Sequence, residues 1–164
     1  MNTAGPAIAA WALALIGLFN VVGSYASGVL GGRYSKRALL AGIYLGRAGV
    51  IWLFITLPPT PTVVLFFAAS MGVLWLSTVP LTSGLVAVMF GTRHLGTLFG
   101  TVFLSHQVGA FLGVWLGGVA FEQTGSFAPV WWAGIALAVV AAALHWPIVE
   151  RPAPRFAASP QPEG

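Results

Sequence analysis

Long apolar runs, separated by short polar or turn-forming stretches, set the pattern of this chain. Crossing a hydrocarbon core of about 30 Å takes roughly 20 apolar residues at a helical rise of about 1.5 Å each. Five runs meet that length: residues 7–30, 38–57, 62–88, 95–121 and 128–148. The first two are divided by Gly31-Gly32-Arg33-Tyr34-Ser35-Lys36-Arg37, and the next pair by Pro58-Pro59-Thr60-Pro61. Gly91-Thr92-Arg93-His94 and Glu122-Gln123-Thr124-Gly125-Ser126 make the remaining breaks. A membrane β-barrel would need segments of about ten residues with apolar and polar positions alternating. Runs such as 133–144, apolar throughout, lack that alternation. The pattern therefore predicts an all-α integral membrane protein with five transmembrane helices. Residues 149–164, with Pro152, Pro154, Pro160 and Pro162 and no apolar periodicity, read as a disordered tail.

Composition agrees. The chain is 58% hydrophobic and 6% charged, against about 25% charged residues in a soluble domain. Seven Lys and Arg against three acids give a formal net charge of +4. These scattered basic residues make no phosphate-binding stripe, so nucleic acid is not an expected partner. The absence of cysteine excludes disulfides, thiolate zinc sites and a cysteine nucleophile. The acids sit at or beyond the membrane edges, and His94, His106 and His145 have no ligand spacing. No catalytic constellation, metal site or cofactor site is implied, and an enzyme is not expected.

The positive charges orient the spans. Arg33, Lys36, Arg37, Arg93, Arg151 and Arg155 occupy the first loop, the third loop and the C-terminal tail, whereas loops two and four carry no Lys or Arg. The basic side is expected to be cytoplasmic, with the N-terminus outside and the C-terminus inside a cell inner (plasma) membrane. Trp131 and Trp132 at one end of the last span and Trp146 at the other fit interfacial aromatic belts.

Small residues recur every fourth position. The fourth span carries Thr97, Thr101, Ser105, Gly109, Gly113 and Gly117; the first, Ser24, Gly28 and Gly32; the fifth, Gly134, Ala138 and Ala142. Such stripes let helix backbones approach closely, so they are expected to mediate helix packing, the alternative being a small-residue face that lines a solute path.

Four unusual residues lie deep. Counting inward from the cytoplasmic charges at about 1.5 Å per residue places Asn20, Pro80 and His106 at roughly 18–20 Å and Arg47 at roughly 15 Å. Polar and ionisable groups at that depth are costly and mark functional candidates. Asn20 either contacts a solute or bonds a neighbouring helix. His106, with Gln107 beside it, either handles solute and protons or bonds structurally, an imidazole being able to titrate near physiological pH. Arg47 keeps its charge, and its partner is expected to be backbone, water, the solute or a missing part of the protein. Pro80 removes one backbone bond within Ser77-Thr78-Val79-Pro80-Leu81-Thr82-Ser83, whose hydroxyls can satisfy the freed carbonyl.

The stretch Gly28-Val29-Leu30-Gly31-Gly32-Arg33-Tyr34-Ser35-Lys36-Arg37 resembles the cytoplasmic signature loop of the major facilitator superfamily, with Gly28, Arg33, Lys36 and Arg37 on the pattern and Gly32 where an acid usually stands. The stretches 75–84, 90–100, 103–109 and 125–132 are similar to the later helices of bacterial monocarboxylate-transporter-like members. The resemblance spans about residues 7–148 and implies helices eight to twelve of a twelve-helix carrier, an incomplete C-terminal half of that fold. It implies transport of a small solute, as a truncated or split form inactive alone. Its partners would be the bilayer, the solute, and either the missing N-terminal half or identical copies. It favours Asn20, Ser24, Pro80, His106 and Gln107 as solute-lining and gives Arg47 a supporting role. On that alignment Asn20 and Ser24 replace the Asp and Arg that such carriers use for proton coupling and carboxylate binding. The alternative is a stand-alone small membrane protein forming an oligomeric pore or a scaffold.

The charge segregation makes a direct prediction. A reporter fused to the C-terminus should read cytoplasmic and one inserted at Thr60 external. A cytoplasmic signal at Thr60 would remove the five-span arrangement.

Overall fold

A computed structural model describes residues 4–153, and among these all regular structure is helical. The order is α1 (Ala4–Gly31), α2 (Lys36–Thr56), α3 (Pro61–Trp75), α4 (Thr78–Phe90), a single 3-10 turn (Thr92–His94), α5 (Leu95–Thr124) and α6 (Ala128–His145). Five helical segments are long and apolar enough to cross a membrane, α3 and α4 together forming the third. The protein is an all-α, multi-pass membrane protein.

Local chemistry sets the ends. Ser35 caps α2 by accepting from the Ala38 amide at 3.3 Å, and Thr60 caps α3 by accepting from the Val63 amide at 3.3 Å. Pro61 follows Thr60 in the first turn, where its missing N–H has no cost. Gly91 and Gly125, with φ of +78° and +66°, close α4 and α5 in backbone conformations that side chains disfavour. The last helix stops at His145, and Pro147 two residues on has no N–H with which to continue the ladder. Residues 149–153, from the tail expected to be disordered, are tied back: the Ala153 amide donates to the Met89 carbonyl at 2.9 Å. Residues 154–164 lie outside the described residues.

The helices are joined by two long pairings, α1 with α3 and α2 with α6, and α3 and α4 bridge the pairs. Leu40, Leu81 and Leu85 form a buried cluster where α2 meets α4, flanked by Leu39, Ile43, Met89 and Ile148. At the opposite end Phe54 stacks on Phe67 with centroids 4.2 Å apart, and Trp131 meets both edge-on at 5.6 and 5.9 Å. Large apolar side chains elsewhere point outward, as they do where lipid tails are the solvent.

The tightest crossing joins α1 to α3. A Cβ built on Gly23 would collide with the Val73 carbonyl, and one on Gly72 would lie 2.8 Å from the Ile16 oxygen and 2.9 Å from Phe19 Cβ. Gly31 repeats the arrangement about two turns farther on, against Leu81 of α4. The packing face of α1 is thus Asn20, Gly23, Ser27 and Gly31, rotated from the expected Ser24–Gly28–Gly32 stripe; a Cβ on Gly28 would meet nothing within 4 Å. On α6 the expected stripe does pack: Ala138 and Ala142 are buried, and Gly134 faces Ile51.

The α5 stripe corrects the expectation. No atom lies within 4 Å of a Cβ built on Gly109 or Gly113, and only at Gly117 does the stripe reach a neighbour, Val130. Residues 100–116 are exposed on every side, so α5 meets the bundle near its two ends and stands clear between them. Spacing identifies small residues but not the direction in which they face.

These contacts separate two glycines of similar appearance. Gly72→Leu forces side-chain atoms into a backbone contact, and overpacking of this kind costs about 1–3 kcal/mol. Its monodisperse yield in detergent should fall sharply, while Gly113→Leu should elute at wild-type yield. Equal losses at both positions would show that α5 packs closely after all.

Candidate solute-binding cleft

The site begins with a break in a helix. Pro80 has no N–H to offer the carbonyl four residues back, that of Leu76. The Val79 amide takes that carbonyl instead, at 3.0 Å, tightening the chain into a turn between α3 and α4. Side-chain hydroxyls cover part of the gap: Ser77 Oγ donates to the Val73 carbonyl, and Thr78 Oγ1 to that of Trp75 at 3.4 Å.

Two neighbouring helices grip the rest. Arg47, on α2, donates from Nε and Nη2 to the Leu74 carbonyl at 3.2 and 2.6 Å, and from Nη2 to the Trp75 carbonyl at 2.7 Å. A cation at this point also opposes the partial negative charge at the C-terminal end of α3. From α1, Asn20 Oδ1 accepts from the Leu76 amide at 3.3 Å. The guanidinium lies over the Tyr44 ring, 5.1 Å from its centroid, and the far side of that ring region meets His145, with centroids 5.2 Å apart.

A cleft of about 460 Å³ opens in front of this junction, a size common for small-molecule sites. Tyr44 and Arg47 form one wall with Trp75, Thr78 and Thr82; Phe99, Phe103 and His106 of α5 form the other. His106 is held against Phe103, with ring centroids 6.1 Å apart.

The six residues singled out by sequence therefore separate. Arg47 and His106 face one another across the cleft. Asn20 and Pro80 sit behind it, at the helix break that shapes its wall. Ser24 lies on α1 away from the cleft, its carbonyl accepting from Ser27 at 3.0 Å, and Gln107 is exposed on α5. Tyr44, Thr82 and the aromatic pair Phe99–Phe103 were not foreseen. Their signal was present as one-face helical spacing: Tyr44 three before Arg47, and Phe99, Phe103 and His106 at steps of four and three.

The loop from Gly28 to Arg37 performs a different task. Arg37 Nη1 donates to the Trp146 and Ile148 carbonyls at 3.2 and 2.9 Å, capping the end of α6. In return the Glu150 carboxylate accepts from Ser35 Oγ at 2.6 Å and from the Arg37 amide at 2.7 Å, at the N-terminus of α2. Each helix end thus receives the charge its dipole favours. The Lys36 stem lies across Gly84 of α4, where a Cβ would come within 3.1 Å of its Cε, whereas Arg33 is exposed. Glu150 was not singled out by sequence, because a carboxylate beyond the last span has no pattern linking it to residue 35.

Five apolar spans, three of which line a cleft of mixed aromatic and polar character, make a multi-span membrane protein. The sequence model of the Major Facilitator Superfamily matches residues 2–163, and the chain belongs to that family. Its function is accordingly of the transporter type. No curated protein and no solved structure gives a match.

The latch gives a pH dependence with a definite sign. Burial pushes the Glu150 carboxyl upward, but bonds from Ser35 and from the Arg37 and Lys36 amides, with the charge of Lys36, outweigh it and leave the group below its ordinary 4.5. A depressed carboxyl contributes stability that is whole above the ordinary value and is lost as pH falls through the lowered one. Thermal unfolding in detergent should therefore shift downward between roughly pH 5 and 3, and Glu150→Gln should flatten that shift. An unchanged slope in Glu150→Gln would show that the latch does not hold α2 to α6.

Proposed function

We propose that the chain supplies one wall of a solute passage in a facilitator-type carrier, its five spans corresponding to helices eight to twelve of the twelve-helix fold. The single observation that carries this reading is the cleft itself. It lies between a rigid wall built on α2, α3 and α4 and a helix, α5, that is fastened near its ends and stands free between them. A small solute entering there would meet Arg47, Thr78 and Thr82 on one side and His106 on the other. Asn20 and Pro80 serve that wall by fixing the break in the third span.

The loop between α1 and α2 supports placement at the eighth and ninth helices, in the monocarboxylate-transporter-like branch, with its basic residues on the cytoplasmic side. Facilitator carriers shield their solute alternately with two halves that rock about a central site. The cleft is open along α5, and residues 100–116 require a covering by lipid or protein. On this reading the chain is a truncated or split form that needs further helices for activity.

The test is reconstitution. In proteoliposomes the chain alone should give no saturable uptake of labelled small solutes, and co-expression with the first seven helices of a related carrier should produce it. Saturable uptake by the chain alone would overturn the fragment reading and favour an assembly in which identical copies provide both walls.

A further inference from the structure

We propose that the groove between α1 and α2 is a phospholipid site: it takes one acyl chain of an anionic phospholipid, and Arg33 binds the phosphate of the same molecule. The site is separate from the cleft and independent of the transport reading.

Although a short loop joins them, α1 and α2 scarcely touch, because α1 pairs with α3 and α2 with α6. A groove of about 150 Å³ is left between them. Ala26 and Leu30 of α1 form one side, Leu39 and Ile43 of α2 the other, and Val73 and Leu81 belong to the floor. Two hydroxyls also reach it, and both are committed as donors within the chain. Ser27 Oγ donates to the Ser24 carbonyl at 3.0 Å, and Ser77 Oγ to the Val73 carbonyl. Ordered water needs several polar partners, and this lining has no free donor to give it. An apolar hollow of about 150 Å³ stays dry and accepts a group the size of benzene. Left empty, it would forfeit dispersion contacts along its walls. In a bilayer the hydrocarbon at hand is an acyl chain.

The groove ends beneath the basic loop. Leu30 lies three residues before Arg33, and Leu39 three residues after Lys36. The Arg33 amide donates to the Leu30 carbonyl at 3.0 Å, which turns the loop over the end of that wall. The cations of the loop differ in what they hold. Arg37 caps the end of α6, and Lys36 lies over Gly84 with its charge acting on Glu150. Arg33 is exposed, and its guanidinium has no partner among the described residues. A phosphate at the membrane surface matches a guanidinium in charge and in forked donor geometry. Phosphatidylglycerol brings an uncompensated negative charge, whereas the choline of phosphatidylcholine adds a cation that Lys36 and Arg37 repel. The formal net charge of +4 acts in the same direction.

Native mass spectrometry of the full chain released from detergent counts retained lipids directly. The probes are dioleoylphosphatidylglycerol and dioleoylphosphatidylcholine, which share their acyl chains and differ in headgroup. One phosphatidylglycerol should be retained per chain, about fivefold or more tightly than phosphatidylcholine, the difference expected for one basic residue at a lipid surface. Arg33→Gln should bring the two lipids level, and Arg93→Gln, which removes an exposed charge from the third loop, should leave the preference intact. Ala26→Phe fills the groove and should abolish retention of both lipids. Chainless glycerophosphoglycerol is a second arm that does not depend on how Ala26→Phe folds: it carries the charge without the hydrocarbon and should not displace phosphatidylglycerol from the wild-type chain.

Equal retention of the two lipids by the wild-type chain would overturn the assignment, as would a preference that survives Arg33→Gln or is lost equally in Arg93→Gln. Retention by folded Ala26→Phe, or displacement by glycerophosphoglycerol or inorganic phosphate, would show that the groove holds no acyl chain. A lipid-free dimer would give the groove to a second copy of the chain. None of these outcomes bears on uptake, so the lipid site and the transport reading fail separately.

Discussion

Within hydrocarbon every backbone N–H and C=O needs a partner from the protein, because an unsatisfied group there costs several kcal/mol. That constraint governs the third span. Pro80 cannot donate to Leu76, the chain turns between α3 and α4, and the Leu74 and Trp75 carbonyls at the end of α3 become a demand that the neighbouring helices must meet. Arg47 meets it with three donated bonds, and Asn20 Oδ1 separately accepts from the Leu76 amide. The positions of α1 and α2 relative to the break follow from that demand. The same residues that would be liabilities in lipid are thereby made structural, and Arg47 also lines the cleft.

Contact elsewhere is won by close approach and by helix-end electrostatics, since lipid tails provide no hydrophobic drive between apolar helices. Gly23 and Gly72 let the α1 and α3 backbones touch, and Ala138 and Ala142 do the same for α6 on α2. At the end of the bundle that carries the basic loops, Arg37 and Glu150 exchange charges between the ends of α2 and α6. A loop with the pattern of a family signature thus acts as a clamp between helices distant in sequence. Its stabilising carboxylate comes from beyond the last span, while Gly32 occupies the place where the resembling loops carry an acid.

The helix with the most regular small-residue stripe is the one least packed. Thr97, Thr101, Ser105, Gly109 and Gly113 lie on one face of α5, yet that helix is fastened near Leu95–Phe99 and near Gly117 and is free between. The wall built on α2, α3 and α4 carries Arg47 and the exposed helix α5 carries His106, and the cleft lies between them. This division of labour suits the transporter-type function of the family.

The sequence by itself determined the number and place of the spans, because membrane thickness sets their length and Gly, Pro and charged stretches end them. It also marked Arg47, Asn20, Pro80 and His106, because a charge, an amide, an imidazole and a missing N–H are conspicuous against apolar runs. Which of those residues meet was decided by tertiary structure. Asn20 and Pro80 share the helix break and Arg47 and His106 share the cleft, whereas Ser24 and Gln107 take part in neither. Helical spacing says which residues lie on one face, but the rotation of each helix about its axis depends on partners far along the chain. For α1 that rotation follows from the collision any side chain at Gly23 would suffer against Val73, and for α2 from the reach of Arg47 to the carbonyls at the C-terminal end of α3.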